Sequence, residues 1–310
     1  MADALVIGAN GFIGSYLVDA LVRAGHRVTA FDRFSAGTRT FTSDVRTVRG
    51  DFLNTADLRS AVEGQQLVFH FLSTTTPMSA QGDPTIDLRT NVMQTVALLE
   101  LCVEAGVEHV YYASTGGAIY GDQGRERYLE SDPTMPRSPY AIGKSAIEGY
   151  LRYFQTVSGL RSTSLRISNP YGGRQPLGRS QGLIPIVARQ AISGEVVTRF
   201  GDGSMMRDYI YVEDLVRMIV RMIDQVPVRD VYNLGSGTGT SVSEVLRLVG
   251  EISGKSLHIV EKPIPATFVD RVVLDIERYA SEFGRPAEVS LEEGIRRTID
   301  DITHREALNG

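Results

Sequence analysis

Short apolar runs alternate with longer amphipathic stretches through the first 168 residues of the chain. The run ALVIG is followed by the amphipathic stretch FIGSYLVDALVRAG and then by a second apolar run, RVTAFD. This rhythm is typical of the strand, helix, strand units that build a parallel sheet. It predicts six strands, ALVIG, RVTAFD, VRTVRG, LVFHFL, HVYYAS and RSTSLRIS, with helices over TADLRSAVEG, 84–105 and 140–158. We therefore predict an α/β fold with a doubly wound parallel sheet, which binds its ligand at the carboxyl ends of the strands.

The pattern changes after Ser168, where loops rich in glycine and proline, such as NPYGGRQPLGRSQG, separate short helices and isolated strands. This texture favours a smaller lobe that closes over the sheet. We expect residues 1–168 to form a Rossmann domain, with 207–240 returning to it. Residues 169–206 and 241–310 are expected to form a C-terminal α/β lobe that binds the substrate.

Composition narrows the class of partner. The net charge is -5, the pI is about 5.6, and no basic run interrupts the scattered charges. Such a charge distribution offers no basic surface that would bind nucleic acid or an anionic membrane, so we expect a small-molecule partner.

No run approaches the ~20 apolar residues of a membrane span, and the first strand near Ala4 leaves no room for a signal peptide, which predicts a cytoplasmic protein. The single cysteine, Cys102, permits neither an intramolecular disulfide nor a cysteine zinc cluster, so we expect a buried thiol and no metal.

The first predicted turn carries three glycines in the stretch GANGFIG, between an apolar strand and an amphipathic helix. Gly8, Gly11 and Gly14 let the backbone bend sharply and approach a pyrophosphate, whose charge meets the free N–H groups at the start of the helix. The residues between them, Asn10, Phe12 and Ile13, belong to the same predicted dinucleotide contact.

The second predicted strand ends at Asp32, eighteen residues after Gly14. A carboxylate there accepts hydrogen bonds from both ribose hydroxyls of NAD and repels the 2′-phosphate of NADP. Arg33 follows, and an arginine at this place suits that phosphate, so the residues favour NAD without excluding NADP. Asp51, after the third strand, is placed to meet the adenine end, and an exposed aspartate at a strand end is the alternative interpretation.

Tyr140 and Lys144, in SPYAIGKSA, are four residues apart at a predicted helix start, so their side chains project from one face. An ammonium beside a phenol lowers the pKa of the phenol and makes tyrosine a usable general base near neutral pH. We predict that this pair is catalytic.

Together, these motifs resemble a known family. In chain order, over nearly the whole length, they are GANGFIG, Asp32, Asn91 in NVMQT, STGGAIYG, YAIGK, NPYGGRQ, RDYIYVEDL and VSLEEGI. As a set they are similar to the extended short-chain dehydrogenase/reductases, specifically the nucleotide-sugar epimerases and dehydratases. The resemblance implies a tightly held NAD⁺, Tyr140 as base, Lys144 on the nicotinamide ribose, and Ser114 or Thr115 on the proton path.

The resemblance also implies further contacts. Phe52, Leu72 and Asn91 are expected at the cofactor, and a homodimer is expected through the helices near 84–105 and 140–158. The residues expected to bind a UDP-sugar are Asn169, Arg207 and Arg271 at the diphosphate, with Leu183 and Phe200 in the base pocket. Convergent arginines suit a diphosphate better than a neutral alcohol. For Leu183 and Phe200, an ordinary core role is the alternative.

The stretch STGGAIYG bears on the outcome of the reaction. The 4,6-dehydratases of this family carry a Thr-Asp-Glu run at this place, with the aspartate as acid and the glutamate as base. Here Gly116, Gly117 and Ala118 occupy these positions, and an alignment shifted by one residue, with Thr115 at the hydroxyl position, also supplies no carboxylate. This favours 4-epimerisation through a 4-keto sugar, although the glycines also suit a tight bulge at a strand end.

Other features keep a dehydratase as the alternative. The run Ser73–Thr76, the absence of an acidic residue from RQPLGRSQG, and EFGRP before the last helix depart from the epimerase pattern. With these departures, the chain also resembles the hexosamine dehydratases of tunicamycin-type antibiotic pathways, which form a 5,6-alkene. Elimination would then use Tyr140, a nearby hydroxyl, Asp122 or Glu130, although their sequence context favours surface positions for both carboxylates. A non-catalytic NAD-binding protein and a reductase of small carbonyl compounds are further hypotheses.

Overall fold

The structure, a computed structural model, describes residues 1–35, 41, 45–77, 79–175, 182–265, 268–285 and 288–309. Its strands are β1 Asp3–Ile7, β2 Arg27–Asp32, β3 Arg46–Arg49, β4 Leu67–His70, β5 His109–Thr115, β6 Arg161–Ile167, β7 Asn169–Tyr171, β8 Val197–Phe200, β9 Met206–Tyr211, β10 Val231–Leu234, β11 Gly239–Ser241, β12 Ile259–Lys262 and β13 Arg271–Val272. All six strands predicted before residue 168 are present.

The α-helices are α1 Phe12–Arg23, α2 Thr55–Val62, α3 Met93–Glu104, α4 Gly116–Ile119, α5 Pro139–Ser158, α6 Leu183–Ser193, α7 Val212–Asp224, α8 Val242–Ser253, α9 Glu277–Phe283 and α10 Leu291–Asn309. A short 3-10 helix spans Ser79–Gly82, and a π-helical turn, Leu88–Val92, leads into α3. The predicted helix over 84–105 is therefore interrupted near its start by a wider turn, a feature that often marks a functional position.

The main sheet has seven parallel strands in the order β10-β6-β5-β4-β1-β2-β3. Alternate side chains of each strand enter different cores, as Leu5 and Val6 on β1 illustrate. The core on one face includes side chains of α1 and α7, and the core on the other face includes side chains of α2, α3 and α5. Cys102 is fully buried in the second core, as predicted, and burial raises the pKa of its thiol to about 12.

The chain reverses its strand order between β1 and β4, since β2 and β3 lie on one side of β1 and β4, β5 and β6 on the other. In doubly wound sheets the crevice at this switch point is where ligands bind. The fold class predicted from the sequence is thus present, and it puts the turn after β1 at the crevice.

A second lobe packs around its own core. β9 pairs with β7, β11 and β13, and a separate pair is formed by β8 and β12. Apolar side chains of α6, α8 and α10 pack together against this small sheet, among them Ile184, Val245 and Ile295. α7 and β10 return to the main sheet, within the predicted segment 207–240, whereas β9 lies in the second lobe. α9, in the range predicted for the second lobe, instead packs Tyr279 and Phe283 into a core of the main sheet.

Candidate active site

The turn after β1 forms a cradle in which side chains have no room. Gly8 has a φ of +88°, and a Cβ there would lie 2.9 Å from the backbone nitrogen of Leu72, just beyond β4. A Cβ on Gly14 would lie 2.1 Å from the Gly8 carbonyl oxygen, so only glycine lets α1 start this close to the turn. Gly11 supplies no side-chain cap, and the first N–H groups of α1 remain available to an anion such as a pyrophosphate.

Asp32 lies beside this cradle at the end of β2. Its carboxylate accepts hydrogen bonds from the backbone N–H of Asn10 at 3.1 Å and of Phe34 at 3.4 Å. The neighbouring Arg33 is exposed. A carboxylate fixed in this position suits the ribose hydroxyls of a dinucleotide and disfavours a 2′-phosphate. The cradle and Asp32 therefore fit NAD.

Four more of the predicted cofactor residues have structural contacts. Asp51 Oδ1 accepts the Leu53 N–H at 2.9 Å within its own turn. Phe52 is buried against His70, with ring centroids 5.0 Å apart. Phe12 and Ile13 pack on the core below the cradle. Their contacts with the cofactor stay predictions.

Asn91 makes four hydrogen bonds inside the protein. Its Oδ1 accepts from the N–H of Thr74 at 3.0 Å and from the Thr74 hydroxyl at 3.1 Å. Its Nδ2 donates to Thr75 Oγ1 at 3.0 Å and to Asp87 Oδ1 at 2.8 Å. Asn91 therefore ties the hydroxyl-rich segment Ser73–Thr76 to the π-helical turn, and this role does not depend on a cofactor.

The catalytic pair lies on the first turns of α5, which begins after Ser138. The Ser138 hydroxyl accepts the Ala141 N–H at 3.3 Å, which caps the helix. Lys144 Nζ donates to the Ala113 carbonyl oxygen at 2.8 Å and lies 5.6 Å from the centroid of the Tyr140 ring. The predicted pair thus meets the carboxyl end of β5.

The two hydroxyls that end β5 face different partners. The Thr115 side chain lies near the Tyr140 phenol and acts to lower its pKa. The Ser114 hydroxyl donates instead to the buried carboxylate of Glu148 at 2.6 Å. Of the two hydroxyls predicted for the proton path, Thr115 is the one that lies near Tyr140.

The electrostatics of the pair differ from what helix spacing predicts. Burial raises the pKa of Tyr140 to about 12, repulsion from Asp87 adds to the increase, and the side chain of Thr115 opposes it. The predicted lowering of this pKa by Lys144 is wrong for the protein alone, because the ammonium binds Ala113 and faces the Tyr140 ring. Burial lowers the pKa of Lys144 to about 8, against the attraction of Asp87 and Glu148, so Lys144 is mostly charged at pH 7.

A network of buried charged side chains lies next to the Tyr140–Lys144 pair. Arg166 on β6 donates to Glu148 with two nitrogens, from Nε at 3.1 Å and from Nη2 at 2.7 Å. Its Nη1 donates to the Tyr120 hydroxyl at 3.0 Å. Sequence reasoning missed Glu148, although the four-residue spacing of Tyr140, Lys144 and Glu148 puts all three on one helix face.

The two glycines after β5 have different surroundings. A Cβ on Gly116 would lie 2.5 Å from Leu274 Cδ1 and 2.9 Å from the backbone oxygen of Arg166. A Cβ on Gly117 would find its nearest neighbour, Asn169 Oδ1, at 3.5 Å, an ordinary contact distance. Packing therefore requires glycine at 116, whereas position 117 has room for a side chain and carries none.

This contrast predicts that Gly116→Ala costs about 1–3 kcal/mol of unfolding free energy, because the buried Leu274 and the backbone must shift. Gly117→Ala is the matched control and is expected to stay within about 1 kcal/mol of the wild type. Urea denaturation of both variants measures the difference. Equal stability of the two would contradict a packing role for Gly116.

The two carboxylates considered for elimination are engaged elsewhere. Glu130, which the alternative interpretation put at the surface, is 9% exposed; its Oε1 accepts the Asn233 N–H at 2.8 Å and its Oε2 pairs with Arg278 at 3.4 Å. Asp122 is half-buried and lies 4.0 Å from Arg137 Nη1. Glu130 is thus a buried structural residue.

A cavity of about 210 Å³ in the second lobe collects four of the five predicted substrate residues, Asn169, Leu183, Phe200 and Arg207. The Phe200 and Phe268 rings meet edge to face at 5.2 Å and provide an apolar wall. The Arg207 guanidinium is held by the carbonyl oxygens of Met206, Val269 and Asp270. Arg271, the fifth residue, pairs in register with Met206 and is not among the described residues that line the cavity.

Within the described ranges, no group of three His, Cys, Asp or Glu side chains is arranged to hold a metal ion. In the same part of the chain, no helix is both long and apolar enough to span a membrane. The acidic residue missing from RQPLGRSQG concerns a loop whose residues 176–181 lie outside the described residues.

Comparisons with known proteins agree with this geometry. The family model described as NAD dependent epimerase/dehydratase family matches residues 4–235. The UDP-glucose 4-epimerase of Mycolicibacterium smegmatis is 32% identical over 304 residues, which cover 96% of this chain and 97% of that protein. The crystal structure of the Thermus thermophilus UDP-glucose 4-epimerase with NAD is 33% identical, with a TM-score of 0.89 over 97% of this chain and 99% of the other.

A second solved structure, the UDP-glucose 4-epimerase of Thermotoga maritima with UDP-glucose, is 32% identical and covers 99% of each chain with a TM-score of 0.92. Together with the glycine cradle and the tyrosine–lysine pair, these similarities confirm the predicted family, fold class and cofactor. The chain belongs to the NAD dependent epimerase/dehydratase family and is an NAD-dependent enzyme of the extended short-chain dehydrogenase/reductase type.

Proposed function

We propose that the protein is a UDP-sugar 4-epimerase that acts on a UDP-hexose or a UDP-N-acetylhexosamine through a transient 4-keto sugar. The observation that carries the proposal is the position of Tyr140 and Lys144 at the carboxyl end of β5, two strands from β1 and its glycine turn, with no carboxylate on the adjoining segment 116–118. The similarity to UDP-glucose 4-epimerases over nearly the whole chain supports the same assignment.

In this mechanism Tyr140 takes the proton from the sugar 4-hydroxyl and later returns it to the same oxygen. When bound, NAD⁺ supplies the hydride acceptor for C4 and a positive charge that favours the tyrosinate. Lys144 holds the β5 end through the Ala113 carbonyl oxygen, and Thr115 lies near the phenol and favours its ionised form. Between the two proton transfers the 4-keto sugar would turn over in the site, and return of the hydride to the opposite face of C4 would invert that carbon.

The UDP moiety is assigned to the second lobe. The apolar wall of Leu183 and Phe200 suits a uracil base, and Asn169 and Arg207 suit the two phosphates. Arg271 is assigned to the phosphates by the family resemblance alone. Arg207 has its guanidinium fixed by three backbone carbonyl oxygens, so its charge is oriented before a ligand arrives. A preoriented cation binds a diphosphate with less loss of side-chain entropy.

The dehydratase alternative, elimination of water, lacks the acid and base carboxylates of the 4,6-dehydratases, and would have to use Tyr140, a nearby hydroxyl, Asp122 or Glu130. Gly116 has no room for a side chain, Gly117 carries none, and Glu130 is tied to Asn233 and Arg278. These observations favour epimerisation over elimination.

The test is incubation of the purified protein with UDP-glucose and with UDP-GlcNAc in D₂O without added cofactor, followed by mass spectrometry and proton NMR. We expect a product of unchanged mass with inverted C4 and no deuterium at C5. A product that is lighter than the substrate by one water would favour a dehydratase over an epimerase. Bound NAD without conversion of any UDP-sugar would favour the non-catalytic hypothesis, and steady oxidation of free NADH with a carbonyl compound would favour a reductase.

We further propose a cytoplasmic homodimer. Apolar side chains are exposed along one face of α5, at Ile142, Tyr150, Tyr153 and Val157, and at Met93 on α3. Continuous exposed apolar surface of this kind marks an interaction site. A solution mass of one chain, 34.0 kDa, instead of two would exclude the dimer. Cell fractionation that recovers the protein with membranes would contradict the location.

A further inference from the structure

Asp87 is a buried carboxylate that neither the motifs nor the proposed mechanism uses. Its side chain is at the start of the π-helical turn Leu88–Val92, and the residue is only 2% exposed. Asp87 Oδ2 accepts a hydrogen bond from the Thr75 hydroxyl at 2.8 Å, and Oδ1 accepts one from Asn91 Nδ2 at 2.8 Å. The carboxylate is therefore fixed in place by two hydrogen bonds.

The carboxylate is pressed against the catalytic helix. A Cβ on Gly143 would lie 3.0 Å from Asp87 Oδ1, tighter than an ordinary contact. Gly143 directly precedes Lys144 and follows Tyr140 by three residues. The absence of a side chain at Gly143 thus admits the Asp87 carboxylate to α5 at the level of the catalytic pair.

The two hydrogen bonds of the Asp87 carboxylate bring no positive charge to it. Its two hydrogen-bond donors, Thr75 and Asn91, are neutral. The second carboxylate near Lys144, that of Glu148, is paired in bidentate fashion with Arg166. The Asp87 carboxylate contacts α5 at Gly143, the residue before Lys144, so its negative charge favours the ammonium form of Lys144.

The other titratable groups that face the pair leave this balance unchanged. They are His70 on β4, Tyr112 on β5, Glu148 on α5 and Arg166 on β6. Burial and repulsion from Lys144 lower the pKa of His70 to about 3, and burial raises the pKa of Tyr112, so both are neutral at pH 7. The Glu148 charge is shared with Arg166, so Glu148 adds less than Asp87 to the attraction that favours charged Lys144.

We propose that Asp87 is a positioning residue of the catalytic pair: its buried carboxylate keeps Lys144 charged at neutral pH and closes the segment Ser73–Thr76 against α5. The proposal rests on the proposed function only for the roles of Tyr140 and Lys144 in catalysis. The protonation of Lys144 is measurable without substrate or turnover.

The chain is suited to a direct measurement because it has three lysines, Lys144, Lys255 and Lys262. Lys255 and Lys262 are exposed and serve as internal references. In protein labelled with ¹³C-lysine, the Cε signal of Lys144, assigned by its loss in Lys144→Met, is followed against pH. Asp87→Asn is expected to lower the midpoint for Lys144 by on the order of one pH unit, because the attracting charge is lost.

Thr75→Val is the matched control, since it removes a hydrogen bond from the same carboxylate without changing charge. It is expected to keep the wild-type midpoint. Asp87→Ser is a second neutral variant, included in case Asp87→Asn does not fold. Thermal denaturation identifies the variants that are folded, and only these enter the titration. In active protein, the alkaline limb of the kcat profile is expected to move with the Lys144 midpoint.

An unchanged Lys144 midpoint in a folded, neutral variant would overturn the proposal, as would an equal shift in Thr75→Val. A shifted midpoint in a protein that converts no UDP-sugar would support the role of Asp87 and reject the proposed function. The two failures are therefore distinguishable.

Discussion

Tyr140→Phe is expected to lower kcat by about 10²- to 10⁴-fold, the usual contribution of a general acid–base group. The substitution removes the phenol oxygen that is proposed to take the 4-hydroxyl proton and that lies near Thr115. The ring remains, and with it the contact of Lys144 Nζ, 5.6 Å from the ring centroid. The free energy of unfolding is therefore expected to change by about 1 kcal/mol or less. Steady-state interconversion of the UDP-sugar measures kcat, and urea denaturation measures stability.

Tyr150→Phe is the matched control, because Tyr150 is on the same helix and is 42% exposed. It is expected to keep the wild-type kcat. KM should change little in Tyr140→Phe, since the residues assigned to UDP lie in the second lobe around Asn169 and Arg207. A Tyr140→Phe enzyme with undiminished kcat would mean that another group moves the proton.

The features that sequence predicted well are those set by local spacing. Six strands of the main sheet follow from apolar runs separated by amphipathic helices, a pattern that each segment carries by itself. The cradle at Gly8 and Gly14 follows from a strand, a glycine turn and a helix that are contiguous in the chain. Tyr140 and Lys144 share a helix face because they are four residues apart.

Other features depend on segments far apart in the chain. Asp87 meets the catalytic helix at Gly143, fifty-six residues later, and Leu274 meets Gly116 across a longer interval. No local pattern reports such contacts. α9 joins the main sheet core through Tyr279 and Phe283, although its neighbours in sequence belong to the second lobe.

The pKa of Tyr140 is another property that local spacing in the sequence does not predict. Helix spacing correctly places an ammonium near the phenol, but it does not say where the ammonium points. In the structure Lys144 Nζ is directed to the Ala113 carbonyl oxygen, while burial and the charge of Asp87 raise the Tyr140 pKa to about 12. The direction of this pKa shift is decided by the burial of Tyr140 and by the carboxylate of Asp87, which is far from Tyr140 in the sequence.

The second large effect is expected for stability, from Arg166→Met. Arg166 and Glu148 are 5% and 3% exposed in their side chains and share two hydrogen bonds, at 3.1 and 2.7 Å. Removal of the guanidinium leaves Glu148 charged and buried, with the Ser114 hydroxyl still donating to its Oε1. Breaking a buried pair in this way costs about 3–5 kcal/mol. Since whole domains are stable by roughly 5–15 kcal/mol, this loss is about a fifth or more of the total free energy of unfolding.

Two further variants separate the uncompensated charge from a loss of packing. Arg166→Met combined with Glu148→Gln removes the charge and keeps an oxygen to accept from Ser114, so the double variant is expected to recover most of the lost stability. Arg27→Met breaks an exposed pair with Asp3 and is expected to have no measurable effect. If the double variant were as unstable as Arg166→Met, the loss would come from packing around the arginine stem, and the ion pair beneath the active site would not be its cause.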